Sequence, residues 1–106
     1  MITITAIIRT TPAGAEAMQA ALCAVADYVR AEEPTTLAFH VTRAIDEPNV
    51  FTTYERFVDR AAMDRHNNSA AVAAFFTLAK PLLDGPVILH AGAEVAAVSR
   101  SGEDAA

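Results

Sequence analysis

Tryptophan is absent from this 106-residue sequence, and cysteine occurs once. The single Cys23 excludes an intramolecular disulfide, and its place in an apolar helical pattern predicts a buried thiol in a reducing compartment. Aromatic residues are also few, five Phe and two Tyr, so the core must be built mostly from small side chains. A single small domain of this kind often enlarges its buried surface by oligomerising.

Positive charge is scarce as well. Eight Lys and Arg residues stand against thirteen Asp and Glu, and they are scattered singly, so they form no basic stripe along which nucleic acid would bind. The longest uninterrupted apolar run, Ala70 to Phe76, is far shorter than the ~20 residues that cross a bilayer. The N-terminal segment alternates and lacks the form of a secretory signal. We therefore expect a cytoplasmic protein with no nucleic acid and no membrane partner.

Hydrophobic periodicity divides the chain into strands and helices. Alternation predicts four strands, at residues 2–9, 37–43, 50–57 and 86–98. Apolar residues at helical spacing predict three helices, which start at Pro12, after the cap Asp59 and at the cap Ser69. Turn residues at 46–49 make the second and third strands a hairpin. One domain therefore covers residues 1–98, and residues 99–106 form a flexible tail.

This order of elements is the split βαβ pattern of a ferredoxin-like α+β sandwich, in which helices cover one face of a four-stranded antiparallel sheet. The uncovered face should be polar. Several apolar residues fall there instead, among them Ile7 and Tyr54. We therefore expect two copies to pair sheet to sheet as a dimeric α/β barrel, with Ile7, Tyr54 and Arg56 at the dimer interface.

Motifs for metal, phosphate and nucleophilic chemistry are missing from the sequence. His40 and His90 fall on strands that occupy opposite edges of a ferredoxin-like sheet, so within one protomer they should not converge on an ion. No HxH, HxxxH or paired cysteine supplies ligand spacing, and neither a Gly-rich phosphate loop nor a GxSxG turn occurs. We therefore predict no metal site.

One imidazole remains as a candidate catalytic group. His66 ends a short helix, and an ordinary pKa of ~6.5 lets it exchange a proton near neutral pH. Glu55 lies on the strand face that also carries Phe51 and Phe57, so it must be paired or hydrogen-bonded if it is buried. The structural alternatives are that His66 bonds the helix break at 67–69 or Glu55, and that Glu55 pairs with an arginine across the sheet or with His66.

Five aromatic residues at core spacing are candidates for a substrate pocket. They serve either as pocket walls or as plain core residues, and the two roles are compatible. The five residues are Tyr28, Phe39, Phe57, Phe75 and Phe76.

Three stretches, ITAIIRTTPAG, EEPTTLAFHVTR and FTTYERFVDRAAMDRHNNS, resemble the antibiotic biosynthesis monooxygenase (ABM) family of the dimeric α/β-barrel superfamily. The resemblance covers nearly all of residues 1–98. It implies a homodimer with a pocket between sheet and helices and, in some members, oxidation of quinols or aromatic polyketides by O2 without cofactor. On this resemblance we expect a cofactor-independent monooxygenase acting on a small aromatic or quinol-like molecule, with His66 as proton acceptor or hydrogen-bond donor and Glu55 orienting it.

The sequence departs from the family pattern at informative positions. Phe57 stands where members commonly carry Trp after the strand glutamate. The asparagine of the haem-degrading branch would fall near Ile7, and the axial histidine of that branch is missing from residues 72–79. Haem degradation is therefore disfavoured, and the main alternative to an oxygenase is a non-catalytic module that binds a small apolar ligand.

Overall fold

The computed structural model of the protein describes residues 1–100. The strands and α-helices are, in chain order, β1 (Ile2–Arg9), α1 (Ala15–Glu32), β2 (Thr36–Arg43), β3 (Val50–Phe57), α2 (Arg60–Asn67), α3 (Ala70–Ala79) and β4 (Ile88–Ala93). This order confirms the predicted ferredoxin-like α+β fold. No helix in the described residues is both long enough and apolar enough to span a membrane.

The four strands form one antiparallel sheet in the order β2-β3-β1-β4. The central strands β1 and β3 are in register, with Ile4 opposite Glu55. Because side chains alternate along a strand, Glu55 faces the helices while its neighbour Arg56 faces away from them. Because β2 and β4 are the two edge strands, His40 and His90 lie at opposite edges of the sheet, as predicted.

One irregularity interrupts β2. Thr36 pairs with Phe57 and Ala38 pairs with Arg56, so Leu37 is an extra residue in the ladder. Simple alternation from Phe39 would place Leu37 on the inner face, and the bulge overrides it. The bulge turns Leu37 outward, where it is 44% exposed, and leaves Thr36 buried.

The main core lies between α1, α3 and the inner face of the sheet. The predicted stripe of α1 is confirmed, since its members Met18, Leu22, Val25 and Val29 are all buried. Burying each such side chain contributes about 1.5–3 kcal/mol. The predicted burial of Cys23 is wrong, because this residue lies about 100° around the helix from Leu22 and its thiol is exposed.

Side-chain caps fix the starts of the two later helices. The carboxylate of Asp59 accepts the amide N–H of Ala62 at 2.9 Å, and the hydroxyl of Ser69 accepts that of Val72 at 3.2 Å, as the sequence predicts. Helix α1 begins at Ala15 rather than at Pro12, because residues 12–14 form a 3-10 turn before it.

The last strand is shorter than predicted. It spans Ile88–Ala93 instead of residues 86–98, and its regular pairing with β1 shows that Gly92 marks no bulge. Gly85 takes a φ of 96° in the turn that leads into it, a conformation that glycine adopts without strain. Of the predicted tail, residues 99–100 lack regular structure, and 101–106 lie outside the described residues.

Candidate functional site

A cavity of about 190 Å³ lies between the sheet and the helices, and we call it the inner cavity. Its walls are mostly apolar and come from the strands, α1 and α3. The apolar lining consists of Ile4, Ala6, Ile8, Leu22, Val25, Phe39, Val72, Phe75, Phe76, Val87 and Leu89. The polar lining is confined to Thr53, Glu55, His66 and Asn67. The cavity therefore combines an apolar body with one polar end, the usual form of a small-molecule site.

The polar end is organised around the buried imidazole of His66, which is 3% exposed. Its Nδ1 lies 2.8 Å from Oε1 of Glu33, and its Nε2 lies 3.2 Å from Oε1 of Glu55. The three side chains thus form a continuous carboxylate–imidazole–carboxylate arrangement, which we call the Glu33–His66–Glu55 chain.

Local structure explains why these residues meet. His66 lies on the same face of α2 as the buried Ala62 and Met63, four and three residues before it, so packing of that face turns the imidazole inward. Glu55 lies on the inner face of β3. Glu33 follows the last residue of α1 directly, where the helix ends before Pro34.

Both carboxylates have further support from a threonine. The hydroxyl of Thr53 donates to Oε2 of Glu55 at 2.8 Å, and the hydroxyl of Thr36 donates to Oε1 of Glu33, also at 2.8 Å. Oε2 of Glu33 is buried and has no hydrogen-bond partner within residues 1–100. The two ends of the Glu33–His66–Glu55 chain therefore differ, since Glu55 has both oxygens bonded and Glu33 has one oxygen free.

Aromatic rings enclose the imidazole. The ring centroids of Phe39 and Phe57 lie 5.6 and 5.4 Å from that of His66, both in tilted arrangements. Such apolar neighbours lower the local dielectric and strengthen the electrostatic interactions of the imidazole.

The hydrogen bonding of His66 constrains its protonation. A neutral imidazole donates from only one nitrogen, so two good hydrogen bonds to carboxylates require either an imidazolium or one protonated carboxyl. Burial favours the neutral imidazole and lowers its pKa, but the hydrogen bonds and charges of Glu55 and Glu33 outweigh burial and raise the pKa of His66 above its ordinary value of 6.5. The charged imidazole between two carboxylates therefore persists to higher pH than in a free histidine.

The structure brings together some of the predicted site residues and separates others. His66 and Glu55 meet at the inner cavity, and Phe39, Phe75 and Phe76 lie on its wall. Phe57 lies outside the lining, fully buried beside His66. Tyr28 also lies outside the lining, because it is one position off the buried stripe of α1.

Glu33 was missed by the sequence reasoning. The Glu32–Glu33–Pro34 run indicates only the end of a helix, and both glutamates fit a solvated helix end equally well. The contact joins residues 33 positions apart, so local periodicity carries no signal for it.

The residues expected at a dimer interface lie on the open face of the sheet. Ile7 and Tyr54 are 38% and 41% exposed there. Nε of Arg56 donates to Oε2 of Glu94 at 3.0 Å on the same protomer. The open face thus presents apolar side chains beside an ion pair.

Metal-binding geometry is not found in residues 1–100, where no three His, Cys, Asp or Glu side chains are arranged to hold an ion. The Glu33–His66–Glu55 chain itself points its two carboxylates at opposite nitrogens of one ring. They therefore do not converge on a common point.

Comparison with known proteins agrees with the fold. Residues 1–78 match the model of the antibiotic biosynthesis monooxygenase family, and the chain belongs to this family. Membership supports a monooxygenase-like role at the level of the family and a site for a small molecule. No curated protein matches the chain.

Solved structures share the fold over most of the chain. Rv0793 from Mycobacterium tuberculosis is 22% identical, with a TM-score of 0.84 over 92% of this chain and 98% of that one. A Caulobacter crescentus protein assigned to the antibiotic biosynthesis monooxygenases is 23% identical, with a TM-score of 0.84 over 90% of each chain. SO0527 from Shewanella oneidensis is 26% identical, with a TM-score of 0.80 over 86% and 87%.

Proposed function

We propose that this protein is a cofactor-independent monooxygenase that oxidises a small phenol or hydroquinone with O2 in the inner cavity. The observation that carries the proposal is the hydrogen-bonded pair of Glu55 and His66 at the polar end of an otherwise apolar cavity. Such a reaction needs a proton acceptor and apolar walls, and the cavity combines both.

The pair acts as a unit. Both ring nitrogens of His66 face carboxylates, so the group that first meets a substrate hydroxyl is the Glu55 carboxylate, with His66 stabilising it. Glu55 is 7% exposed, and this burial strengthens its interaction with the imidazolium. His66 therefore holds the Glu55 carboxylate ionised and in place at the cavity, and Glu55 is the group that takes the substrate proton.

The chemistry balances without an external reductant. The phenol O–H proton passes to Glu55, and the phenolate gives one electron to O2 to form a phenoxyl radical and superoxide. These combine at a ring carbon to give a peroxide, which takes back the proton. The O–O bond then breaks as the hydrogen on the same carbon leaves, so water departs and a quinone remains. All electrons that reduce O2 come from the substrate.

The size of the inner cavity favours a substrate with one ring. An apolar protein cavity of ~150 Å³ holds benzene, and the inner cavity measures about 190 Å³. Phe76 and Leu89, which are 42% and 52% exposed, form the rim, where substituents of the ring would lie.

A homodimer is part of the same proposal. Ile7 and Tyr54 on the open face support it, because exposed apolar residues on one sheet face are covered when a second copy packs against them. The interface is then a sheet-to-sheet contact, on the opposite side of the sheet from the inner cavity.

The test is O2 consumption by the purified protein with hydroquinone, a two-ring naphthohydroquinone and a three-ring phenol, each corrected for autoxidation. We expect many turnovers per protomer with hydroquinone and fewer with the larger compounds. Rates equal to autoxidation for all three would reject the oxygenase.

A non-catalytic module that binds a small apolar ligand is the second candidate. The occupied nitrogens of His66 favour it, because an imidazole held by carboxylates on both sides also fixes α2 in place against β3 and the end of α1. Binding of hydroquinone or phenol by calorimetry, without O2 consumption, would identify this alternative.

A further inference from the structure

A second concavity lies near the inner cavity, and we call it the outer groove. It has a volume of about 270 Å³ and is formed by the end of α1 and the start of β2. Glu33, Thr36 and Phe39 contribute to it. Phe39 also lines the inner cavity, so the two spaces share this ring as a wall.

The Glu33–His66–Glu55 chain runs from one space to the other. Glu55 and His66 line the inner cavity, and Glu33 lines the outer groove. The side chains of His66, Glu55 and Glu33 are 4%, 9% and 11% exposed. Glu33 and Glu55 are therefore about equally buried, and they differ in the space that they line.

We propose that Glu33 is a positioning residue, which fixes His66 through Nδ1 and exchanges the protons of the Glu55–His66 pair with the solvent of the outer groove. This inference rests on the proposed oxygenase function, because a ring that fills the inner cavity excludes water from Glu55. Proton exchange with solvent must then occur at the other end of the chain.

The free oxygen of Glu33 is suited to this exchange. Its Oε1 accepts hydrogen bonds from Nδ1 of His66 and from Thr36, whereas Oε2 has no partner among residues 1–100. A proton taken up by Glu55 is balanced when the Nδ1–H bond breaks, an O–H bond forms on Glu33, and Glu33 then releases that proton to water. When Glu55 returns its proton to the peroxide, the reverse transfer, from water through Glu33 to Nδ1, restores the imidazolium. The three groups hold the same number of protons before and after this exchange, and no electrons move.

Few other charged groups compete for His66. The elements packed against it present the uncharged rings of Phe39 and Phe57 from β2 and β3. On its own helix, the adjacent Arg65 donates to the hydroxyl of Thr35 on the exposed surface. Glu33 and Glu55 are thus the charged groups that act on the imidazole within the described residues.

The first experiment is an NMR titration of His66 in the full chain, comparing Glu33→Gln with the matched control Glu32→Gln at the exposed helix end. Glutamine keeps the shape of Glu33 and an oxygen for Nδ1–H but removes the charge. We expect the pKa of His66 to fall in Glu33→Gln and to stay at the wild-type value in Glu32→Gln. An unchanged pKa in Glu33→Gln would overturn the inference, whatever the activity.

The second measurement is steady-state O2 consumption with hydroquinone. Because Glu33 does not line the inner cavity, Glu33→Gln should lower kcat by roughly tenfold while KM stays within about twofold. Glu33→Asp keeps the charge and should restore part of kcat. Glu33→Ala, which also removes the charge, replaces Glu33→Gln in both measurements if that variant does not fold. A lowered His66 pKa with wild-type kcat would overturn the proton-exchange role.

The same data separate this inference from the proposed function. If wild-type protein consumes no O2 and the His66 pKa still falls in Glu33→Gln, the oxygenase is rejected while the control of His66 by Glu33 is supported. If wild-type protein turns over and the pKa does not fall, the oxygenase is supported and the role of Glu33 is rejected.

Discussion

Neighbouring residues of β3 carry opposite charges to opposite faces of the sheet. Glu55 points to the covered face, where it bonds His66 and Thr53. Arg56 points to the open face, where it bonds Glu94. Both are paired with a group of opposite charge at hydrogen-bond distance, and they are consecutive in the sequence.

The surroundings make the two pairs different. The covered pair lies against aromatic rings and opens onto the inner cavity, so its charges interact through a low dielectric. Arg56 keeps 26% of its side chain exposed on the open face, where water and salt screen its charge. Proton chemistry is therefore expected on the covered face, and association with a second copy on the open face.

Removal of the covered carboxylate should have the largest effect. Glu55→Gln removes the proton acceptor, and kcat for hydroquinone oxidation should fall by about 10²–10⁴. Glu94→Gln, the matched change on the open face, should stay near wild type. Equal losses in both variants, measured with an oxygen electrode, would show that the two carboxylates do not differ in role.

The next effect concerns stability. Phe57 is fully buried beside His66, so Phe57→Ala should lower the free energy of unfolding by about 3–5 kcal/mol. Leu37→Ala removes an outward-facing side chain and should change the free energy of unfolding by no more than ~0.5 kcal/mol. Urea denaturation followed by circular dichroism measures both values. A small loss in Phe57→Ala would show that the enclosure of His66 is loosely packed.

A smaller effect should appear in the pH dependence of stability. The pKa of His66 is raised in the folded chain, so the folded state binds the proton more tightly than the unfolded state. The stabilisation from His66 is fully present below about pH 6.5, the unfolded pKa, and is lost as pH rises through the higher folded pKa. Melting temperatures across this window should fall in wild type and fall less in His66→Gln.

The control for that titration is His40→Gln, which alters an exposed imidazole on the open face. The melting temperature of His40→Gln should fall with pH as steeply as that of wild type. If melting temperature no longer falls with pH in His40→Gln, or still falls as in wild type in His66→Gln, groups other than His66 cause the pH dependence.

The smallest effect is expected from the open face. Tyr54→Glu places a charge among Ile7 and its neighbours and should weaken a sheet-to-sheet dimer by at least ~1 kcal/mol without reducing the stability of the protomer. Sedimentation velocity over a range of concentrations measures the dissociation. A wild-type protein that is monomeric throughout the range would remove the open face from consideration as an interface.

Elements with strong local periodicity could be predicted from the sequence. The alternation of β1 and β3 repeats every two residues, and the apolar stripe of α1 repeats every three to four. Asp59 and Ser69 mark the starts of α2 and α3, because each side chain accepts a hydrogen bond from an amide three residues later. Such features depend on neighbours in the chain. The order of the strands then follows from the small number of ways to connect them.

The candidate site could be predicted only in part. The pairing of Glu55 with His66 was one of the alternatives that the sequence left open, since both follow from the same stretch of chain. Glu33 comes from the end of a different helix, and its contact with Nδ1 depends on how α1 lies against β2 and α2. Cys23 and Tyr28 show a second limit of prediction from sequence. Each lies one position away from a buried residue of α1, and that single position turns its side chain away from the core.

The extra residue in β2 has a consequence for how the site could arise and be lost. Residues an odd number of positions apart normally point to opposite sides of a strand, yet Thr36 and Phe39 both serve the buried imidazole, one through Glu33 and the other through its ring. Leu37 changes the parity of the strand between them. Deleting this one exposed leucine would leave Thr36 and Phe39 two positions apart and on the same face of a regular strand, so the site could have formed before the insertion. The site is lost only if the extra residue is fitted into the ladder without a bulge.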